Sequence, residues 1–178
     1  MRINTDTLPQ LTINGIAIPF SKSTKNLGMK LTEHLSWNSH ISAICSRVHG
    51  VLNHLRFRTY YLSSSLKKQL VTALILPHFD YACTVYCNLT RCLDLKLTRL
   101  FNVLIRYIFL LPRDARLAPY IAKLDWLTPE KRRKYFLAVI LYQILMTAKP
   151  PYLTAFFYPL ARAFVVRKGI VSPILVYL

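Results

Sequence analysis

Carboxylates are scarce in this chain. Only seven Asp and Glu occur in 178 residues, and no two stand closer than Asp125 and Glu130. Two-metal phosphoryl transfer needs at least two acids converging on ions roughly 3.5–4 Å apart, whereas Asp6, Glu33, Asp80, Asp94, Asp114, Asp125 and Glu130 fall in separate segments. The sequence therefore shows no neighbouring acid pair, and only convergence from distant segments could supply a metal-based catalytic site. Glycine is equally thin, with four residues, which excludes a Gly-rich phosphate loop and disfavours an all-strand fold punctuated by glycine turns. No apolar run is long enough to span a bilayer, which takes roughly 18 residues or more. The best, Tyr135 to Ala148, is fourteen positions long and contains Gln143, and no membrane span is expected. An N-terminal secretory signal is also not evident, because Arg2, Asp6 and Lys22 interrupt the opening segment. The four Cys are then expected to be reduced thiols in an intracellular setting. Cys83, Cys87 and Cys92, with His78 nearby, lack the spacing of a zinc knuckle or ribbon. Cys83 and Cys87 instead share one helical face and read as small buried apolar groups, so no cofactor is expected.

Positive charge is what the chain has in excess. Twenty-four Lys and Arg give a formal charge of +17. Such a surface repels itself unless a polyanion neutralises it, and a phosphate backbone is the commonest biological counter-surface. A basic helical protein acting at a membrane surface, or in a structural role, is the alternative reading. At 53% apolar residues the chain has ample material for a core.

Periodicity divides the chain into a short strand region and a long helical one. Leu11, Ile13, Ile16 and Ile18 flank Asn14-Gly15, the signature of a tight hairpin. Lys25 to Leu31 reads as a third strand with Gly28 marking a bulge or a close backbone approach. Beyond it the apolar spacing becomes helical. Ser36 precedes a helix with Trp37, Ile41, Ile44, Val48 and Leu52 on one stripe. A second helix follows Ser63 and meets Pro77, with helix expected to continue from His78 to Cys87. A third runs from Arg91 to about Leu110, and a fourth begins at Pro129, behind the N-cap Thr128, and stops at Pro150-Pro151. The predicted fold is mainly α: a small N-terminal β-hairpin or three-strand element followed by a bundle of about four long helices. Its expected divisions are residues 1–33 for the strand element, 34–157 for the helices and 158–178 for a poorly defined tail. Trp37 and Trp126 read as core anchors.

Two basic groupings are candidates for phosphate contact. The third helix carries Arg91, Arg99, Asn102 and Arg106 on the side away from its leucines. The fourth opens with Lys131, Arg132, Arg133 and Lys134, of which Arg132 and Arg133 are preferred because a guanidinium fork matches phosphate oxygens.

Taken in order, a longer series of residues carries a resemblance. It comprises Asn14-Gly15, Lys25-Asn26-Leu27-Gly28, Leu35-Ser36-Trp37 with His40-Ile41, Leu55-Arg56, and Pro77 with Asp80-Tyr81-Ala82. Lys96-Leu97, Arg99, Asn102, Arg106, Leu124, Trp126-Leu127, Arg132-Arg133 with Tyr135, and Pro151-Tyr152-Leu153 complete it. Over roughly residues 11 to 157 the series resembles the C-terminal part of the reverse transcriptase of non-LTR retrotransposons, in the jockey-like LINE group. The resemblance implies that residues 1–33 correspond to the end of the palm and the primer grip. It places Lys25 and Gly28 near a primer terminus and makes the helices from Trp37 onward a thumb that clamps template and primer. In that family the catalytic aspartates lie upstream of the hairpin and bind Mg²⁺, and this chain starts after them. The expectation is a non-catalytic fragment of an RNA-directed DNA polymerase, or an inactive retroelement relic, with an RNA/DNA duplex as partner. The missing palm and fingers of a polymerase are a second expected partner, and the nucleus is the expected location. Apolar surface on the primer-grip hairpin and the first helix should then be left uncovered.

Overall fold

The computed structural model describes residues 9, 11–18, 21–155 and 157. The tail expected over 158–178 lies outside the described residues, as do the first eight positions of the strand element. The chain divides into two compact units, Met1–Arg133 and Lys134–Leu178.

The fold is mainly helical, with a small strand element at the N-terminus, as the periodicity predicts. Strands β1 (Thr12–Ile13) and β2 (Ile16–Ala17) pair across Asn14-Gly15, whose φ angles of 51° and 79° suit a tight two-residue turn. The single strand expected from Lys25 to Leu31 is instead a second hairpin. β3 (Ser23–Asn26) and β4 (Met29–Thr32) pair antiparallel in the register Asn26 to Met29. Gly28 is therefore a turn residue and not a bulge. Leu27 and Gly28 have φ of 45° and 81°, the pattern of the first hairpin, but with leucine where asparagine would be easier. The Tyr81 hydroxyl donates to the Leu27 carbonyl at 2.5 Å, and its ring would lie 3.4 Å from a Cβ at position 28. That contact holds the strained turn against the helical body.

Helix α1 (Asn38–Arg56) starts where the Ser36 hydroxyl accepts from the Asn38 amide, and it buries Ile41, Ile44, Val48 and Leu52. After the tight turn Thr59–Tyr61, Ser63 caps α2 (Ser64–Leu74) by accepting from the Leu66 amide at 3.3 Å. Helix does not continue to Cys87. α3 (Leu76–Asp80) carries Pro77 in its first turn and ends at Asp80, because Tyr81 leaves helical angles and Ala82 takes φ of 50°. This break turns Cys83 and Tyr86 into the core, where the Tyr86 hydroxyl donates to the Phe79 carbonyl at 2.9 Å.

Helix α4 (Arg91–Phe109) is the centre of the first unit. It buries eight side chains from Leu93 to Ile108 and ends at Leu110, whose left-handed φ of 53° lets the Leu111 amide return to the Arg106 carbonyl. Each such aliphatic or aromatic side chain removed from water stabilises by about 1.5–3 kcal/mol, so α4 anchors the unit. α5 (Ala118–Leu124) stops at Asp125 (φ 55°). Trp126 then lies with its ring centroid 5.9 Å from that of Phe101, and Trp37 sits 6.1 Å from Tyr86. α6 (Pro129–Thr147) begins as predicted, with Thr128 accepting from the Lys131 amide, and the division between the two units falls inside it. No helix among the described residues is long and apolar enough to cross a membrane.

The expectation of uncovered apolar surface divides. On the primer-grip hairpin Leu27 is exposed while Met29 and Leu31 are half-buried, and the apolar stripe of α1 is buried against the other helices.

Candidate nucleic-acid interface

Helices α1 and α4 lie side by side and run in the same direction. Ser42, Cys45 and His49 of α1 face Lys96, Arg99, Leu100 and Val103 of α4 around a cavity of about 340 Å³. Farther along, Arg56 and Thr59 face Val103, Arg106 and Tyr107 around a second cavity of about 510 Å³, which Leu110, Leu111 and Arg113 also line. Val103 lines both, so the two cavities neighbour one another in the groove between α1 and α4. The Tyr107 hydroxyl donates to the Leu55 carbonyl at 3.3 Å, tying the helices together beneath it.

The groove carries basic side chains at both cavities. Lys96, Arg99, Arg106, Arg56 and Arg113 line it with His49, and no Asp or Glu does. The spacing explains this arrangement. At about 100° per residue, Arg91, Asn102, Arg106 and Arg99 occupy roughly 80° of the circumference of α4, and Val103 and Lys96 extend that face toward α1. His49 and Arg56, seven residues apart, share one face of α1. Both helices end at the wider cavity, where carbonyl ends of the helix dipoles favour the arginines. There the Arg106 guanidinium donates to the Arg113 carbonyl at 2.9 Å, while its buried Nε has no hydrogen-bond partner.

The eight residues singled out from the sequence separate into three places. Arg91, Arg99, Asn102 and Arg106 share the outer face of α4, and Arg99 and Arg106 line the groove itself. Lys25 and Gly28 sit on the β3–β4 hairpin, away from those lining residues in the sequence and in the contacts they make. Arg132 and Arg133 are occupied within the protein. The Arg132 guanidinium makes a two-pronged contact with Asp80, Nε to Oδ1 at 2.7 Å and a second nitrogen to Oδ2, and this carboxylate holds the Arg132 pKa above the ordinary arginine value. Arg133, 3% exposed, pairs with Asp94 of α4. The two arginines fasten the start of α6 to α3 and α4.

Lys96, His49, Arg56 and Arg113 were not among the candidate phosphate contacts, although Lys96 and Arg56 belong to the series that carries the resemblance. Lys96 continues the α4 row at three and seven residues before Arg99 and Val103, and His49 with Arg56 repeats at helical spacing, so a signal for these existed. Arg113 follows the helix end in a loop, and no spacing rule reaches it.

Beside the hairpin, His40 packs between Trp37 and Tyr86, and its Nδ1 accepts from the Lys30 amide at 3.4 Å. Burial, then the charges of Arg47 and Lys30, lower its pKa below 6.5, so the ring is neutral at pH 7. Burial likewise raises the thiol pKa values of Cys45 and Cys83. Among the described residues no three His, Cys, Asp or Glu side chains converge where an ion would bind.

No family model matches the chain, and no curated protein or solved structure matches it.

Proposed function

We propose that the chain is a non-catalytic, thumb-like segment of a retrotransposon reverse transcriptase that holds template/primer nucleic acid through its phosphates. The observation that carries this reading is the pair of neighbouring cavities between α1 and α4, lined by five Lys and Arg and by no carboxylate. Guanidinium and ammonium groups on a fixed scaffold position a backbone without reading its sequence. The ordered residue series from Asn14 to Leu153 supports the polymerase lineage, and the commitment of Asp80 and Asp94 to arginines leaves those two acids in structural roles. Lys25 and Gly28 would sit at the primer end, and Arg91 and Asn102 would extend the phosphate track along α4. A nuclear location, and assembly with separate palm and fingers, follow from the same proposal.

Fluorescence anisotropy with an RNA/DNA hybrid, titrated across KCl concentrations, tests it. If each of the five groove cations neutralises one phosphate, log K falls with log salt at a slope of about −4 to −5. A slope near zero, or no affinity at low salt, removes the proposal. The competing membrane-surface reading draws on the exposed Leu11, Ile13 and Ile16. Flotation with anionic vesicles that a nucleic-acid competitor does not reverse would favour it.

A further inference from the structure

The segment leaving α1 carries three large rings that the core does not use. Phe57, Tyr60 and Tyr61 are 84%, 92% and 90% exposed. A buried aromatic ring removes roughly 150–250 Å² from water, so three adjacent rings turned outward forgo a large gain and make a local apolar patch. The same segment supplies Arg56 and Thr59 to the wider cavity of the groove, opposite Arg106 and Arg113, and Arg58 adds a further exposed cation. Aromatic faces and phosphate-binding cations therefore alternate in one short stretch, at the place where the groove ends.

That combination selects its ligand. In a duplex the base faces are stacked inside and present only phosphates and groove edges, for which a basic helix face suffices. An unpaired strand presents flat bases as well as phosphates, and proteins that hold such strands combine cations with exposed rings on which bases stack. We propose that Phe57, Tyr60 and Tyr61 form a stacking platform for the unpaired nucleotides of a single strand leaving the α1–α4 groove. Their phosphates would be met by Arg56, Arg58, Arg106 and Arg113. This inference rests on the groove reading above and adds to it a preference for a duplex with a single-stranded extension.

The test compares a blunt RNA/DNA hybrid with the same hybrid extended by about six unpaired nucleotides bearing 2-aminopurine, with binding expected to tighten roughly tenfold and the fluorophore to be quenched by stacking. The double variant Tyr60→Ala/Tyr61→Ala, at positions too exposed to unfold the protein, should bind both probes at the blunt affinity and leave the fluorophore bright. Tyr60→Phe/Tyr61→Phe, which keeps the rings and removes the hydroxyls, should behave as the unmodified protein. Equal affinity for the two probes without quenching overturns the platform while salt-dependent blunt-duplex binding preserves the groove. An alanine variant that binds and quenches as the unmodified protein does also overturns the platform, the outcome expected if the rings serve a protein partner. Loss of binding to both probes by the unmodified protein removes the groove and the platform together.

Discussion

Replacing Arg133 with methionine separates its structural contribution from a direct role in binding nucleic acid. The Arg133 side chain is 4% exposed and its partner Asp94 27%. Removing one member of a fully buried ion pair costs about 3–5 kcal/mol, chiefly because the other charge is left without compensation. Asp94 retains some access to water, which lowers the expected cost to about 2–3 kcal/mol. For a unit of this size that corresponds to a fall in Tm of about 10 °C. Thermal unfolding followed by circular dichroism reads it directly. The double variant Asp94→Leu/Arg133→Met should recover most of the loss, since two apolar groups of similar size leave no orphaned charge. Below the Tm, Arg133→Met should keep the salt slope for duplex binding unchanged. A Tm shift under about 2 °C, together with a slope reduced by about 1, would refute the reasoning and return Arg133 to the phosphate-binding set.

Two further outcomes follow from the strand element and its contact with α1. The folded pKa of His40 lies below its ordinary 6.5, so between the two values the unfolded chain binds more protons. Its stabilising contribution is thus complete above about pH 6.5 and is lost as pH falls toward the folded value. Melting curves from pH 7.5 to 5 should show His40→Asn flattening this loss, and parallel profiles for the two proteins would contradict the burial argument. Gly28→Ala, which places a Cβ at φ of 81° beside Tyr81, should cost about 1 kcal/mol in chemical denaturation, and an unchanged midpoint would contradict the turn geometry.

The parts of the fold that were legible in the sequence are those written in local chemistry. Asn14-Gly15 specifies a hairpin because both residues tolerate positive φ, Ser63 and Thr128 cap their helices, and the leucines of α4 repeat at helical spacing. Two elements escaped because tertiary contacts override local preference. Leu27 is a poor turn former, held by the Tyr81 hydroxyl from 54 positions away. Residues after Asp80 have helical composition, but burial of Cys83 and Tyr86 requires the chain to leave the helix. The candidate site was legible along α4, where one helix face carries its own charge pattern. Its other wall was less so: His49 and Arg56 recur at helical spacing, but which face of α1 meets α4 depends on packing. Arg132 and Arg133 illustrate the converse. In sequence they form a free basic run, and only the fold brings Asp80 and Asp94 to them.

The central claim is that the groove, and not the overall positive charge, holds nucleic acid. Two charge reversals with the same effect on net charge test it: Lys96→Glu/Arg99→Glu inside the groove and Arg116→Glu/Lys131→Glu at exposed positions outside its lining. Hybrid binding at a fixed moderate salt concentration should fall by at least about a hundredfold in the first and by less than about fivefold in the second. Equal losses in both variants would contradict the account, because the protein would then be acting only as a diffuse positive charge.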